Sequence, residues 1–205
     1  LHDKNDLGIY TEIFCSSAGR LMQSGVVTNR RKNFHTGKTV CGFVWGDQPF
    51  YDFLDRNPDI ELLPAPYVND PYHIAQNDNM VSINTALQID LTGQVCSETL
   101  NGRQYSGTGG ATDFAAGAYM SRGGRGIVVI TSTAKGGTIS KIQPTLPLGS
   151  VVSISRNWVD CIVTEYGVAH LKGANIRQRV ERLIAIAHPD FRTELQREAD
   201  RLMLW

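Results

Sequence analysis

The chain has 205 residues, 41% of them hydrophobic, with 20 basic and 20 acidic side chains and a formal net charge of zero. That is enough apolar material for one sizeable core, and the balanced charge leaves no electrostatic footprint for a nucleic acid or an anionic membrane surface. Four cysteines (Cys15, Cys41, Cys96, Cys161) form no C-x-x-C pair and the five histidines are scattered, so buried free thiols are expected and no metal site.

No signal-peptide pattern and no apolar run of membrane-spanning length is present, which points to a soluble, cytoplasmic-type protein. The sequence opens at Leu1 rather than Met and runs at once into a structured segment, as a piece of a longer polypeptide would. No repeat, linker or low-complexity stretch marks a boundary, so 1–205 reads as one domain.

In chain order, Ile9, Ile13, Phe14, Leu21 and Met22 have helical spacing, which predicts a helix over 7–24 ended by Ser24-Gly25. TVCGFVW (39–45) predicts a strand. QPFYDFLDR (48–56) predicts a helix stopped at Asn57-Pro58, and IELLPAP a strand cut short by its prolines. Residues 80–91 alternate apolar and polar, as strand structure in one or two parts would. GIVVIT (126–131), VVSIS (151–155) and CIVT (161–164) are apolar runs suited to strands buried on both faces of a parallel sheet. Residues 176–204 predict a helix broken at His188-Pro189, with Ile176, Val180, Leu183, Ile184 and Ala187 on one face. Alternating helices and apolar strands predict an α/β fold with a mainly parallel sheet flanked by helices, whose ligands sit at strand ends and helix N-termini.

SGTGGATDFAAGAYMSRGG (106–124) holds six glycines and few bulky side chains. Gly107, Gly109 and Gly110 precede a helix start near Asp113, where free backbone N–H groups suit an anion or a developing oxyanion. The same glycines serve tight turns equally well. The segment is neither a P-loop nor a clean dinucleotide fingerprint, which disfavours an NAD-dependent oxidoreductase. A carboxylate can act as a nucleophile that forms an anhydride and leaves again. Glu12, Glu98 and Glu165 each sit at an element boundary, and spacing does not choose among them or exclude ordinary solvated carboxylates.

Taken together, DLGIYTE (6–12), AQNDNMVSINTALQIDLTGQV (75–95), SGTGGATDFAAGA (106–118), STAKGG (132–137), SRNWVDCIVTEYGVAHLKG (155–173) and AHPDFR (187–192) resemble the acetyl-CoA hydrolase/transferase family, over essentially all of the chain. The resemblance is to the second of the family's two α/β domains, a CoA-transferase/NagB-like fold. It implies that the N-terminal half lies outside this chain and that the active site lies between the halves. It implies a ping-pong transfer of CoA from a short-chain acyl-CoA to a free carboxylate, of the 4-hydroxybutyrate, butyrate or acetate type. No permanently bound cofactor is implied; coenzyme A and acyl-CoA are substrates, and the partners are the N-terminal domain and further copies in a homo-oligomer. Glu12 matches the nucleophile, placed by the family pattern at a helix-start segment. Gly107, Gly109 and Gly110 match oxyanion-hole and pantetheine-contact positions, and Lys135, with Lys141 and Arg156, is available to CoA phosphates or is a surface cation. Tyr10 replaces a histidine common in relatives and bears on the acyl pocket, as do Asn77 and Asn79, which equally suit a turn. Glu165 in TEYG reads as a supporting rather than a nucleophilic carboxylate. Hydrolysis by the same family, and a non-catalytic CoA-binding module, remain alternatives.

Overall fold

A computed structural model describes residues 1–204, which divide into two compact units: residues 1–80 with 120–124, and residues 81–119 with those from 125 onward. The division falls at Met80, inside the alternating apolar segment, where no change of composition announces it.

The first unit runs β1 (Tyr10–Cys15), α1 (Ser16–Gln23), β2 (Thr39–Trp45), α2 (Gln48–Leu54), β3 (Ile60–Leu62), α3 (Ala65–Val68) and α4 (Pro71–Ala75). Its three strands form a parallel sheet in the order β1-β2-β3. The helix expected over 7–24 is a correction: its first half is strand β1, paired along β2 from Tyr10 to Cys15. Ile9, Ile13 and Phe14 fit a helical stripe, but Tyr, Thr, Ile and Phe in YTEIFC favour the pleated backbone, and pairing with TVCGFVW overrides the periodicity. Helix α1 starts only at Ser16 and is packed so tightly that a Cβ at Gly19 would stand 2.6 Å from the Phe50 ring. Phe14, Cys41 and Phe50 form the small core beneath it, with the two phenylalanine rings edge to face at 5.3 Å.

The second unit runs β4 (Val81–Thr85), β5 (Gln88–Asp90), β6 (Val95–Cys96), β7 (Thr99–Leu100), β8 (Arg103–Gln104), α5 (Ala111–Met120), β9 (Arg125–Val129), β10 (Thr133–Ala134), β11 (Ile139–Ser140), β12 (Ile142–Gln143), β13 (Cys161–Thr164), β14 (Gly167–His170), α6 (Ile176–Ala185) and α7 (Pro189–Arg201). Its main sheet has the order β14-β13-β9-β4, with β4, β9 and β13 parallel and β14 an antiparallel edge. A second sheet, β12-β5-β6, mixes one parallel and one antiparallel pair. Ile89, Leu91, Val95, Ile142, Ile154, Ile162, Leu171, Val180 and Leu183 are essentially inaccessible and form the principal core. The fold is α/β, with mostly parallel strands flanked by helices.

Two further sequence expectations change. VVSIS is not a strand: only Ile154 bridges to Val95, while Val151 and Val152 are exposed. Ser153 N–H also donates to the Val95 carbonyl, and its Oγ accepts from Ser97 N–H. Burial on both faces holds for β13, where Cys161, Ile162 and Thr164 are all buried, but not for β9, whose Val128 faces the core while Val129 is exposed. In β4 the alternation holds with inverted sense, Ser82 being buried and Val81 and Ile83 exposed. The C-terminal helices break at His188-Pro189 as the sequence indicates, and α6 opens on a full capping box between Asn175 and Gln178.

Candidate active site

Glu12 lies mid-strand in β1, half-buried, rather than at a helix start. A strand turns alternate side chains to one face, so Glu12 shares a face with Tyr10. The Asn69 side-chain amide donates to Glu12 Oε1 at 3.1 Å, reaching from the C-terminal end of α3 across 57 positions of sequence. An amide-to-carboxylate bond is charge-assisted and holds the carboxylate in one orientation. The strand is held equally closely: a Cβ on Gly42 of β2 would stand 3.2 Å from the Glu12 carbonyl oxygen, so Gly42 permits the approach.

Tyr10 is 5% exposed, and its hydroxyl donates to the Tyr67 carbonyl at 3.3 Å. Burial, reinforced by Tyr67 and Asp70, pushes its pKa well above the usual phenol value, so it stays a neutral donor. Around it lie the rings of Phe34 (6.2 Å) and His35 (6.5 Å), and the Lys32 ammonium 5.8 Å from its ring centre. Lys32 Nζ donates to the carbonyls of Ile9 (2.9 Å) and Lys38 (2.6 Å). Burial pulls its pKa down to about 8, against the opposing pull of the Glu61 carboxylate.

Asn77 and Asn79 lie apart from this cluster, in the turn after α4. Asn77 donates to the carbonyls of His73 and Ile74, and its own carbonyl accepts from Ser121. Asn79 has a left-handed backbone (φ 56°), donates its N–H to the Arg122 carbonyl, and has its side chain against Gly123. These bonds build the turn, one of the two uses open to them.

In the second unit, the glycine loop 106–110 leads directly into α5, whose first internal bond runs from Phe114 N–H to the Gly110 carbonyl. Gly107 and Gly109 are exposed, and a Cβ on either would meet no other atom of the chain within 4 Å. Intrachain packing therefore asks for no glycine at Gly107, while Gly109 needs one for its φ of +53°. The loop's base is tied to the Glu98 segment: the Glu98 carbonyl accepts from Tyr105 and Ser106 N–H, and its carboxylate from Gln104. Lys135 lies at the exposed tip of the β10–β11 hairpin, with φ +49° ahead of Gly136 and Gly137. Glu165 accepts from both N–H (2.9 Å) and Oγ (2.6 Å) of Ser132, and that hydroxyl holds its carboxyl below the usual range. Burial lowers the pKa of nearby Lys141, with Glu165 opposing. Among the described residues no three His, Cys, Asp or Glu gather as a metal site, and no helix is long and apolar enough to cross a membrane. All four cysteines are free.

The sequence reading missed Asn69, which sits in VNDPY, a stretch with every mark of an ordinary helix boundary. It also missed the ring and imidazole cluster behind Asn69.

Residues 46–199 match the model of the acetyl-CoA hydrolase/transferase C-terminal domain, and the chain belongs to that family. It is 53% identical to a protein of Geobacter metallireducens named succinyl-CoA:cyclohexane-1-carboxylate CoA transferase, over 97% of this chain and 46% of that protein. It is 49% identical to the 4-hydroxybutyrate coenzyme A transferase of Clostridium kluyveri, over the same shares. The crystal structure of RipA from Yersinia pestis, 48% identical, superposes with a TM-score of 0.95 over 100% of this chain and 46% of that one. The chain thus spans about half the length of the relatives it matches, and the segment bearing Glu12 lies N-terminal to the matched family domain.

Proposed function

We propose that this chain is the glutamate-bearing C-terminal half of an acyl-CoA:carboxylate CoA-transferase, with Glu12 as the nucleophile. The observation that carries this reading is the Glu12 carboxylate held by the Asn69 amide. Relatives of the same family named as CoA transferases supply the reaction class.

Glu12 attacks the thioester carbonyl carbon, the C–S bond breaks, and CoA leaves as thiolate, giving an acyl-glutamyl anhydride. The thiolate attacks the Glu12 carbonyl carbon and expels the acyl group as a free carboxylate, leaving a glutamyl-CoA thioester. An incoming carboxylate attacks that carbon, re-forms an anhydride and releases the thiolate. The thiolate takes the new acyl group and returns Glu12 to its carboxylate. Each attack places negative charge on a carbonyl oxygen. The Gly107–Gly110 segment is the one that the family resemblance assigns to stabilising that charge, an effect worth about 3 kcal/mol per backbone donor in a dry site. The open space around Gly107 and Gly109 suits a pantetheine arm lying against the backbone, and Lys135 is the cation offered to the CoA phosphates. The second half of the enzyme, a short-chain acyl-CoA and a carboxylate are the partners, and the chain by itself is expected to turn over little or nothing.

The test is the intact mass of the full-length protein after incubation with acetyl-CoA, with and without borohydride. A CoA adduct that borohydride removes and that is absent from Glu12→Ala supports the reading. An adduct persisting in Glu12→Ala moves the nucleophile elsewhere, to Glu165 first. Loss of acetyl-CoA without adduct and without a carboxylate acceptor replaces transfer by hydrolysis.

A further inference from the structure

The reading above uses Glu12 and Asn69 and leaves a set of titratable groups on the other side of α3 without a role. His35 lies in the loop between α1 and β2. Its Nδ1 is 2.6 Å from Glu61 Oε2 on β3, and its Nε2 is 2.9 Å from the Tyr67 hydroxyl on α3. A carboxylate only accepts, so Nδ1 donates to Glu61; in the neutral ring Nε2 then accepts from the Tyr67 hydroxyl. One imidazole thus joins three separate elements, and it does so from a left-handed backbone (φ 48°) that a histidine adopts at a cost of about 1 kcal/mol.

Tyr67 makes four further contacts. Its carbonyl accepts from the Tyr10 hydroxyl at 3.3 Å and lies 3.1 Å from His73 Nδ1. Its ring stacks on His73 at 4.1 Å and meets the His35 ring edge-on at 5.8 Å. Helix α3 is a single turn of four residues, and the Asn69 N–H closes it on the Ala65 carbonyl at 2.8 Å. Tyr67 and Asn69 lie two residues apart on this one turn, so a shift of the turn at Tyr67 moves the backbone that carries Asn69, and Asn69 holds Glu12.

We propose that Glu61, His35 and Tyr67 are positioning residues that set the orientation of the Asn69 amide, and through it that of the Glu12 carboxylate. Their part in turnover rests on Glu12 being the nucleophile; their part in orienting it does not. The three reach Glu12 through Asn69. Removing one leaves the carboxylate in place and widens the range of angles it samples, which slows attack without weakening substrate binding.

The experiment is Tyr67→Phe, which keeps the ring stacked on His73 and deletes only the hydroxyl, with His35→Gln as the second variant. The first readout is the Asn69 side-chain amide signal in ¹H–¹⁵N spectra of the full-length protein, assigned by its loss in Asn69→Asp. Displacement or broadening in both variants is expected, and unchanged signals in both overturn the proposal whatever Glu12 does. The second readout is acetyl-CoA turnover: kcat falling by about tenfold with KM within about twofold is expected. A rise in KM at constant kcat overturns it, because these residues would then bind substrate instead of orienting Glu12. Absence of any adduct in the unaltered protein, with the Asn69 signal displaced in the variants, supports the orientation claim and sinks the nucleophile assignment separately.

Discussion

Strand β1 and the glycine loop 106–110 achieve placement in opposite ways. Around Glu12 the chain spends its own chemistry: Asn69 holds the carboxylate, Gly42 lets the neighbouring strand close in, and Tyr10 is locked onto Tyr67. At Gly107 and Gly109 it spends almost none: a Cβ on either would meet no atom beyond its chain neighbours within 4 Å. A nucleophile gains from being fixed before the substrate arrives, because orientation entropy is then lost on folding rather than in the transition state. A backbone donor gains from accessibility, because any Cβ near it competes with the ligand. Substitutions at the loop should therefore cost turnover without straining the fold, and at the strand a loss of turnover should arise from strain in the fold.

The sharpest break of that contrast is Gly107→Ala. The added methyl meets nothing in the chain, and Gly107 does not have a positive φ, so thermal stability is expected to stay unchanged. Turnover of acyl-CoA is expected to fall on the order of 10²-fold, comparable to losing one oxyanion donor. Full turnover in a stable Gly107→Ala protein would mean that substrate does not approach this backbone, and the glycines would revert to turn formers.

Gly42→Ala is the corresponding test on the strand. The new methyl lies 3.2 Å from the Glu12 carbonyl oxygen, so β1 must yield by a few tenths of an ångström. The strain is offset in stability by the smaller conformational entropy of alanine in the unfolded chain, roughly 0.5–1 kcal/mol. Calorimetry is expected to show a small change, while misplacement of Glu12 lowers kcat by about tenfold. A variant with a large loss of stability and no loss of activity per folded molecule would show that β1 position does not govern the chemistry.

The same contrast explains how much of the molecule was legible in its sequence. The glycine loop announces itself because its glycines are close together in the sequence, and the helix over 176–185 because its apolar stripe is local. Strand β1 was misread as helix because Ile9, Ile13 and Phe14 satisfy a helical period by chance, and only pairing with β2 decides between the two. VVSIS was misread because apolar content says nothing about whether a partner strand is within reach. The spacing alone left Glu12, Glu98 and Glu165 equivalent; the family resemblance, not the residues, singled out Glu12. Asn69 was invisible because its only distinguishing contact lies 57 positions away, a separation set by the parallel sheet and absent from any local pattern.

The smallest effect, and the one that probes the rigid side of the contrast most directly, is the titration of Lys32. Its ammonium is enclosed by the Ile9 and Lys38 carbonyls, and burial lowers its pKa to about 8 from an ordinary 10.5. Between these values the unfolded chain keeps the proton and the folded protein has released it. The unfolded state binds more protons there, so this group makes folding stability rise with pH across that window. Below about pH 8 both states are protonated and the slope vanishes. Lys32→Met is expected to abolish the slope and to cost about 1 kcal/mol at lower pH for the lost bonds to the two carbonyls. A Lys32 Nζ resonance titrating near 10.5 would mean that water reaches the loop behind Tyr10. The strand bearing Glu12 would then be as open as the glycine loop, and the difference between the two regions would lie in sequence and not in rigidity.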